Sequence, residues 1–424
     1  MSNRVGVAAG ATFRSFRTRN FRLFFSGQFI SQVGNWLTMV AQVLLVLHLT
    51  HNGLAVGLLT ACQFGPVLLI GAWAGLIADR SDKRKLLVIV QSLAMLQSFA
   101  LATLAFMDHP PVGGIYLLAI LGGFTTAFDN PARRAFVVEM VPEEDVNNAV
   151  SLNTAMMTSA RIFGPALAGL LVTTVGYGWC FTVDGFSYLA VIAGLLMMRK
   201  SELRQPPVTV RAKGQVRAGL RYVRTVPDLW IPLTMMLIVG TLAYNFQVVM
   251  PLFVERTFHG DDTTFTLMYS VLSLGSFIGA LATARRVSIE ISHVVWGSLV
   301  FGVAMLLLAI APSLRAAFPM ALFVGGSSVV FMTASTAIVQ VRADPAMRGR
   351  VLALQAMVFL GSTPLGGPLL GAVCDAFSAR AGLALGGLSA VVAAGWGAVM
   401  RRRVADRARP VPEAIDLGEG LSVA

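Results

Sequence analysis

Apolar residues in this chain come in long blocks separated by short polar breaks. Twelve blocks stand near residues 22–47, 54–78, 85–107, 112–131, 147–175, 179–198, 230–254, 264–284, 291–311, 316–340, 351–375 and 381–400. As helices rising 1.5 Å per residue, each is long enough to cross roughly 30 Å of hydrocarbon. The pattern predicts an all-α membrane protein of twelve transmembrane helices. The longest break, 199–229, separates six blocks in 22–198 from six in 230–400.

The two sets are related. The stretch Val138–Leu171, with Asn147-Asn148-Ala149, Leu152-Asn153 and Gly164-Pro165-Ala166-Leu167, recurs about 200 residues later as Val339–Gly371. The second copy has Arg348-Gly349-Arg350, Leu354-Gln355 and Gly367-Pro368-Leu369-Leu370. Two similar membrane halves in parallel suit a protein that rocks one half against the other.

Segments outside the blocks differ in character. The arm, residues 1–21, mixes Phe13, Phe16 and Phe21 with Arg14, Arg17 and Arg19, and reads as an interfacial helix over Thr12–Phe25 that feeds the first span. In the 199–229 linker, Pro206-Pro207 precede a helical stretch where Val216, Leu220 and Val223 adjoin Arg217, Arg221 and Arg224, a face suited to the inner leaflet. The tail, 401–424, holds Pro410, Pro412 and several acids, and reads as disordered.

Composition agrees: 56% hydrophobic against 13% charged residues fits an integral membrane protein. A net charge of +12 would suggest nucleic acid if the basic residues formed one patch. They do not. With the N-terminus in the cytoplasm, 29 of the 33 Lys and Arg fall on the cytoplasmic side; Arg256, Arg315 and Arg380 lie outside and Arg161 within a span. That asymmetry places both termini in the cytoplasm and accounts for the charge without a nucleic-acid partner. The basic arm leads into a span too long for a signal peptide.

Within the spans, polar residues stand out. Gln28, Gln32, Asn35, Met39 and Gln42, spaced four, three, four and three, form one stripe on the first span. Lipid does not tolerate it, so the stripe faces another helix or water. Thr241, Tyr244, Asn245 and Gln247 mark the seventh span, Thr125 and Thr126 the fourth, Thr333 and Thr336 the tenth. Arg161 lies mid-span, where a charge costs at least about 2.5 kcal/mol, and should face the interior with a partner. Asp129 and Asp184 are the candidates, although Asp129 is also four residues before Arg133. The pair would either only stabilise the bundle or carry a proton as Arg161 moves away. Gly164, Pro165 and Gly169, with counterparts Gly367 and Pro368, would let helices approach closely, for packing or as a gating interface. The loop from Gly75 to Lys85 ends a helix with Asp79 and continues with Arg80, Lys83 and Arg84. It reads as an inter-helix latch or as plain positive-inside sequence.

That loop resembles the signature of the major facilitator superfamily, with Asp82 where many members have Gly. The opening segment Arg19-Asn20-Phe21-Arg22, Gly27-Gln28, Ser31-Gln32, Gly34-Asn35-Trp36 is similar to the branch of enterobactin-exporter-like and macrolide-efflux-like carriers. So is Asn130-Pro131-Ala132-Arg133 followed by Asn147-Asn148-Ala149. The resemblance covers about residues 15–400. It implies two pseudo-symmetric six-helix bundles, alternating access, a bacterial cytoplasmic (inner) membrane and usually export. It implies a central cavity lined by spans one, four, seven and ten, placing Gln28, Gln32, Asn35, Trp36, Met39, Thr125, Tyr244, Asn245, Gln247 and Thr333 on its wall. Arg161–Gly169 resembles a shortened antiporter motif. In contrast to the drug-antiporter families, the fourth span has no Arg between Val112 and Ala127, and the first carries Asn35 rather than an acid.

No phosphate-binding Gly-Lys-Ser/Thr loop is present. His48, His51, His109, His259 and His293 lack zinc spacing, as do Cys62, Cys180 and Cys374. The expectation is therefore a non-enzyme with no cofactor or metal. It would be a monomeric, proton-coupled exporter of amphipathic small molecules such as drug-like compounds or siderophores. An importer on the same fold, or a membrane sensor, is the alternative.

Overall fold

The computed structural model describes residues 13–204, 215–283 and 290–407. Among these residues the chain is helical, with no strand. Six helices build the first half: α1 (Arg19–Thr50), α2 (Gly53–Arg80), α3 (Lys83–Ala105), α4 (Val112–Glu139), α5 (Val146–Val175) and α6 (Tyr177–Leu196). A short helix, α7 (Gln215–Thr225), leads to the second half. That half comprises α8 (Pro227–Leu242), α9 (Phe246–Phe258), α10 (Asp262–Thr283), α11 (Ile291–Ala309), α12 (Leu314–Arg342), α13 (Pro345–Ala376) and α14 (Ala379–Arg407). With α8 and α9 forming one crossing, the described residues hold twelve helices long and apolar enough to span a membrane.

Twelve crossings put the start of α1 and the end of α14 on one face, here the terminal face; the other is the distal face. Most helices overrun the predicted blocks. α1 extends from the predicted 22–47 to Arg19–Thr50 because polar end residues continue the helix beyond the hydrocarbon. Local chemistry sets several ends. Asn52 caps α2 by accepting the Ala55 N–H at 3.0 Å, and Asp82 caps α3 by accepting the Lys85 N–H at 3.1 Å.

The predicted seventh span is broken. Asn245 leaves helical geometry, and its side-chain amide donates to the Thr241 carbonyl at 2.7 Å. That carbonyl would otherwise take the Asn245 backbone N–H, so the side chain replaces a rung of the helix ladder. Gly366 of α13 lies against this break; a Cβ there would overlap the Thr241 carbonyl and the Asn245 amide.

The arm departs from its expectation. A single 3-10 turn, Arg14–Arg17, is followed by extended Thr18, so no continuous interfacial helix forms over its described residues. The turn is pinned to the start of α5: Arg14 pairs with Asp145, and the Ser15 hydroxyl donates to Asn148 Oδ1 at 2.7 Å. Phe16 packs against Phe21 and Phe25, with centroids at 5.5 and 4.8 Å. The linker helix forms as expected, but one flank docks on protein: Val223 is buried, and the Asp344 N–H donates to the Tyr222 hydroxyl at 3.0 Å. Pro206-Pro207 and the tail beyond Arg407 lie outside the described residues.

Candidate functional site

The two halves meet most intimately toward the distal face. Gly57 of α2 lies against Gly367 and Pro368 of α13, and Gly53 against Gly371, with no room for a Cβ on either pair. The Asp375 carboxylate accepts the N–H groups of Gly53 and Leu54, both at 2.8 Å. Arg256 of α9 binds Asp375 at 2.8 Å and the His51 carbonyl at 2.9 Å. Across the α5–α10 seam, Gly169 receives the Thr266 side chain, and the Tyr177 hydroxyl donates to Asp262 at 2.7 Å. Toward the terminal face, by contrast, a Cβ at Gly71 would touch only a side chain of its own helix, and one at Gly75 or Gly349 would meet nothing within 4 Å. The molecule is drawn together distally.

Inside the first half lies a polar crevice of about 100 Å³. Its wall includes Asn35, Met39, Gln42, Gln63, Gln91, Gln97, Thr125 and Asp129. Several waters fit, but bulky solutes need roughly 300–1,000 Å³. Gln63 donates to Gln42 at 2.8 Å and Gln91 donates to Asp129 at 2.7 Å, while Gln42 Nε2, Gln63 Oε1 and Gln91 Oε1 are buried without a protein partner. A larger hollow, about 740 Å³, opens between α10, α11 and α12. Exposed Ile278, Trp296 and Phe323 line it, so it is an apolar groove on the outside of the second half.

Arg161 pairs with neither predicted acid. Asp129 is held by Arg133 at 3.1 Å, within its own helix. Asp184, 0% exposed, accepts hydroxyl hydrogen bonds from Thr38 and Ser98 at 2.7 Å each and from Ser187 at 3.3 Å. Each carboxylate takes donors close at hand on helices already packed against it. The Arg161 guanidinium instead lies 5.8 Å from the Trp36 ring centre, beside the Tyr269 hydroxyl, with Nε buried and unpartnered. Trp36 and Tyr269 face each other across the halves at 6.3 Å, and Gln247 reaches Met39 Sδ at 2.6 Å.

The expected cavity wall thus divides. Asn35, Met39 and Thr125 line the crevice, and Trp36 and Gln247 stand with Arg161 at the seam. Gln28 and Gln32 are buried in helix packing away from the crevice. Tyr244 donates to the Ser328 carbonyl among Phe246, Phe301 and Phe359, and Asn245 closes the helix break; both are sewn into the second half. Thr333 is half-buried on α12 and outside the crevice.

The sequence matches the family model described as "Transmembrane secretion effector" over residues 10–414. This chain belongs to that family of the major facilitator superfamily. It is 25% identical to the staphyloferrin A transporter of Staphylococcus aureus over 87% of this chain and 93% of that one. It is 25% identical to the enterobactin exporter of Escherichia coli (83% and 84%) and 26% identical to the multidrug efflux pump Tap of Mycolicibacterium fortuitum (81% and 86%). Among solved structures, a bacterial homolog of the lysosomal transporter Spinster, inward-facing and occupied, superposes with a TM-score of 0.69 at 17% identity over 94% and 99% of the chains. A POT peptide transporter superposes with 0.76 at 11% over 91% and 95%. These likenesses at low identity show the shared fold.

In this transporter two basic residues of the signature loop bind within the first half. Arg84 donates to the carbonyls of Leu195 and Leu196 at 2.6 and 2.9 Å, at the C-terminus of α6, and Lys83 pairs with Glu139 at 2.7 Å. Lys83 and Arg84 thus find these acceptors within their own half. Arg80 is exposed and Asp79 half-buried. Gly164 packs within the first half against Trp36, and Pro165 is buried; Gly169, Gly367 and Pro368 lie at the contact between halves. Sequence reasoning missed Gln63 and Gln91, although amides inside apolar spans signal interior positions. It also missed Asp375 and Arg256, whose pairing joins positions far apart in the chain.

Proposed function

We propose that this membrane transporter exports amphipathic small molecules by alternating access, with protons moving inward in exchange. Reading the terminal face as cytoplasmic puts 29 of 33 Lys and Arg on that side. The present conformation is then closed outside. Closing the terminal face while parting the α2–α13 and α5–α10 contacts gives the opposite state. Because one chain carries both halves, a monomer is the working unit.

The observation that carries proton coupling is Asp129 in a crevice wide enough for water, ion-paired to Arg133. Asp184 is sealed from water by three hydroxyl donors and serves structure. A proton on Asp129 cancels the charge that holds Arg133 and so changes the packing of α4. One proton falling through ~150 mV supplies about 3.5 kcal/mol, enough for a gradient of several hundredfold. Relatives named for siderophore transport and multidrug efflux support export of medium-sized organic solutes.

The test uses inside-out vesicles, an acid-inside gradient and a neutral amphipathic dye. Accumulation that collapses with an uncoupler and is lost in Asp129→Asn is expected. Accumulation insensitive to the uncoupler, full activity of Asp129→Asn, or inward transport only would overturn the reading.

A further inference from the structure

Arg161 is the charge that the packing leaves unexplained. It sits at the middle of α5, where an uncompensated cation is costly, and it makes no ion pair with any described residue. Both nearby acids are occupied elsewhere. A structural cation would be expected to have an acid or backbone carbonyls around it, as Arg84 and Arg380 do. Arg161 has an aromatic face instead. Trp36 of α1 lies at 5.8 Å, and Tyr269 of α10 adds a hydroxyl from the other half. The guanidinium is shared between walls that separate during alternating access. Its Nε is buried but the residue keeps partial exposure, so the remaining N–H edge is presented to open space. The contact of Gly169 with Thr266 seals the seam about 12 Å farther toward the distal face, eight residues along α5 at 1.5 Å each.

We propose that Arg161, Trp36, Tyr269 and Gln247 form an anion subsite, and that the carried solute is an amphipathic organic acid whose carboxylate meets Arg161 while its apolar body lies along the partly exposed Trp36. This rests on the transport reading above and names its substrate class. Guanidinium donors in a fork match a carboxylate bidentately, and a dry site strengthens the pair. The ligand supplies the counter-charge that the protein lacks, and since its partners lie on α1, α5, α9 and α10 it ties one half to the other. A cationic solute would meet repulsion at the same point.

Dansylglycine and dansylglycinamide test this directly, because they share a body and differ in the carboxylate. Binding to the full-length protein in detergent is read by energy transfer from tryptophan to the dansyl group. The wild type is expected to bind the acid at least tenfold more tightly than the amide. Arg161→Lys should keep part of that preference, and Arg161→Gln should remove it while leaving weak, equal binding of both probes. Equal affinity of the wild type for the two probes, no binding of the acid, or an unchanged preference in Arg161→Gln would overturn the subsite. The export reading is tested separately by the neutral dye, which needs no carboxylate.

Discussion

The carboxylate of Asp375, at the end of α13, accepts the backbone N–H of Gly53, the first residue of α2, at 2.8 Å. An acid from one half thereby caps a helix N-terminus of the other, where the dipole favours negative charge. Arg256 braces the same carboxylate. Hydrogen bonds to charged groups contribute about 1.5–3 kcal/mol each, so the loss of even one of them in Asp375→Ala should shift the balance toward the distally open form by at least roughly tenfold. Spin labels at His109 and Phe377, exposed on opposite halves of the distal face, would report longer distances. Unchanged distances would show that the contact does not hold the face closed.

Glycines separate the two ends. Gly57→Val would drive a side chain into the backbone of Gly367 and Pro368, and overpacking of this kind costs about 1–3 kcal/mol. The variant should express, lose transport and fail to close distally. Gly75→Val meets nothing within 4 Å here, so the distal contacts should survive. If Gly75 belongs to the gate that closes the terminal face, transport is nevertheless lost. Normal transport in Gly75→Val would remove that residue from the gate.

Asp129 and Asp184 should part in their effects. Asp184→Asn disturbs three hydroxyl donors around a fully buried acid and should lower the melting temperature of the purified protein. Asp129→Asn leaves an amide oxygen to accept from Gln91 and Arg133 but removes the charge opposite the buried Arg133, so it should lower the melting temperature as well, and it should differ from Asp184→Asn in abolishing uncoupler-sensitive transport. The reverse pattern would exchange their roles.

Lys83 and Glu139 form a buried pair, the side chains 12% and 7% exposed. Removing one partner strands the other charge, which typically costs 3–5 kcal/mol, whereas replacing both is far milder. Glu139→Leu should therefore lower the melting temperature markedly, and Lys83→Met combined with Glu139→Leu should restore much of it. Equal melting of the single and double variants would show the pair to be solvent-screened.

Much was legible in the chain itself. Hydropathy sets the twelve crossings because hydrocarbon admits only backbone that satisfies its own hydrogen bonds, a constraint that acts block by block. The repeat around Gly164-Pro165 and Gly367-Pro368 and the loop at Gly75–Lys85 carry the family. Partners and the conformation were not legible. Arg161 and its two candidate acids are visible as charges within or beside spans, yet only packing shows that Asp129 closes on Arg133 and Asp184 on hydroxyls of three different helices. The polar stripe of α1 is visible too, but small helix rotations decide that Asn35 and Met39 reach a crevice while Gln28 and Gln32 do not. Local pattern fixes what one helix must do in a membrane. Side chains hundreds of residues apart, such as Gly53 and Asp375, are brought together only when the two halves dock, and their distance then depends on which end of the molecule is closed.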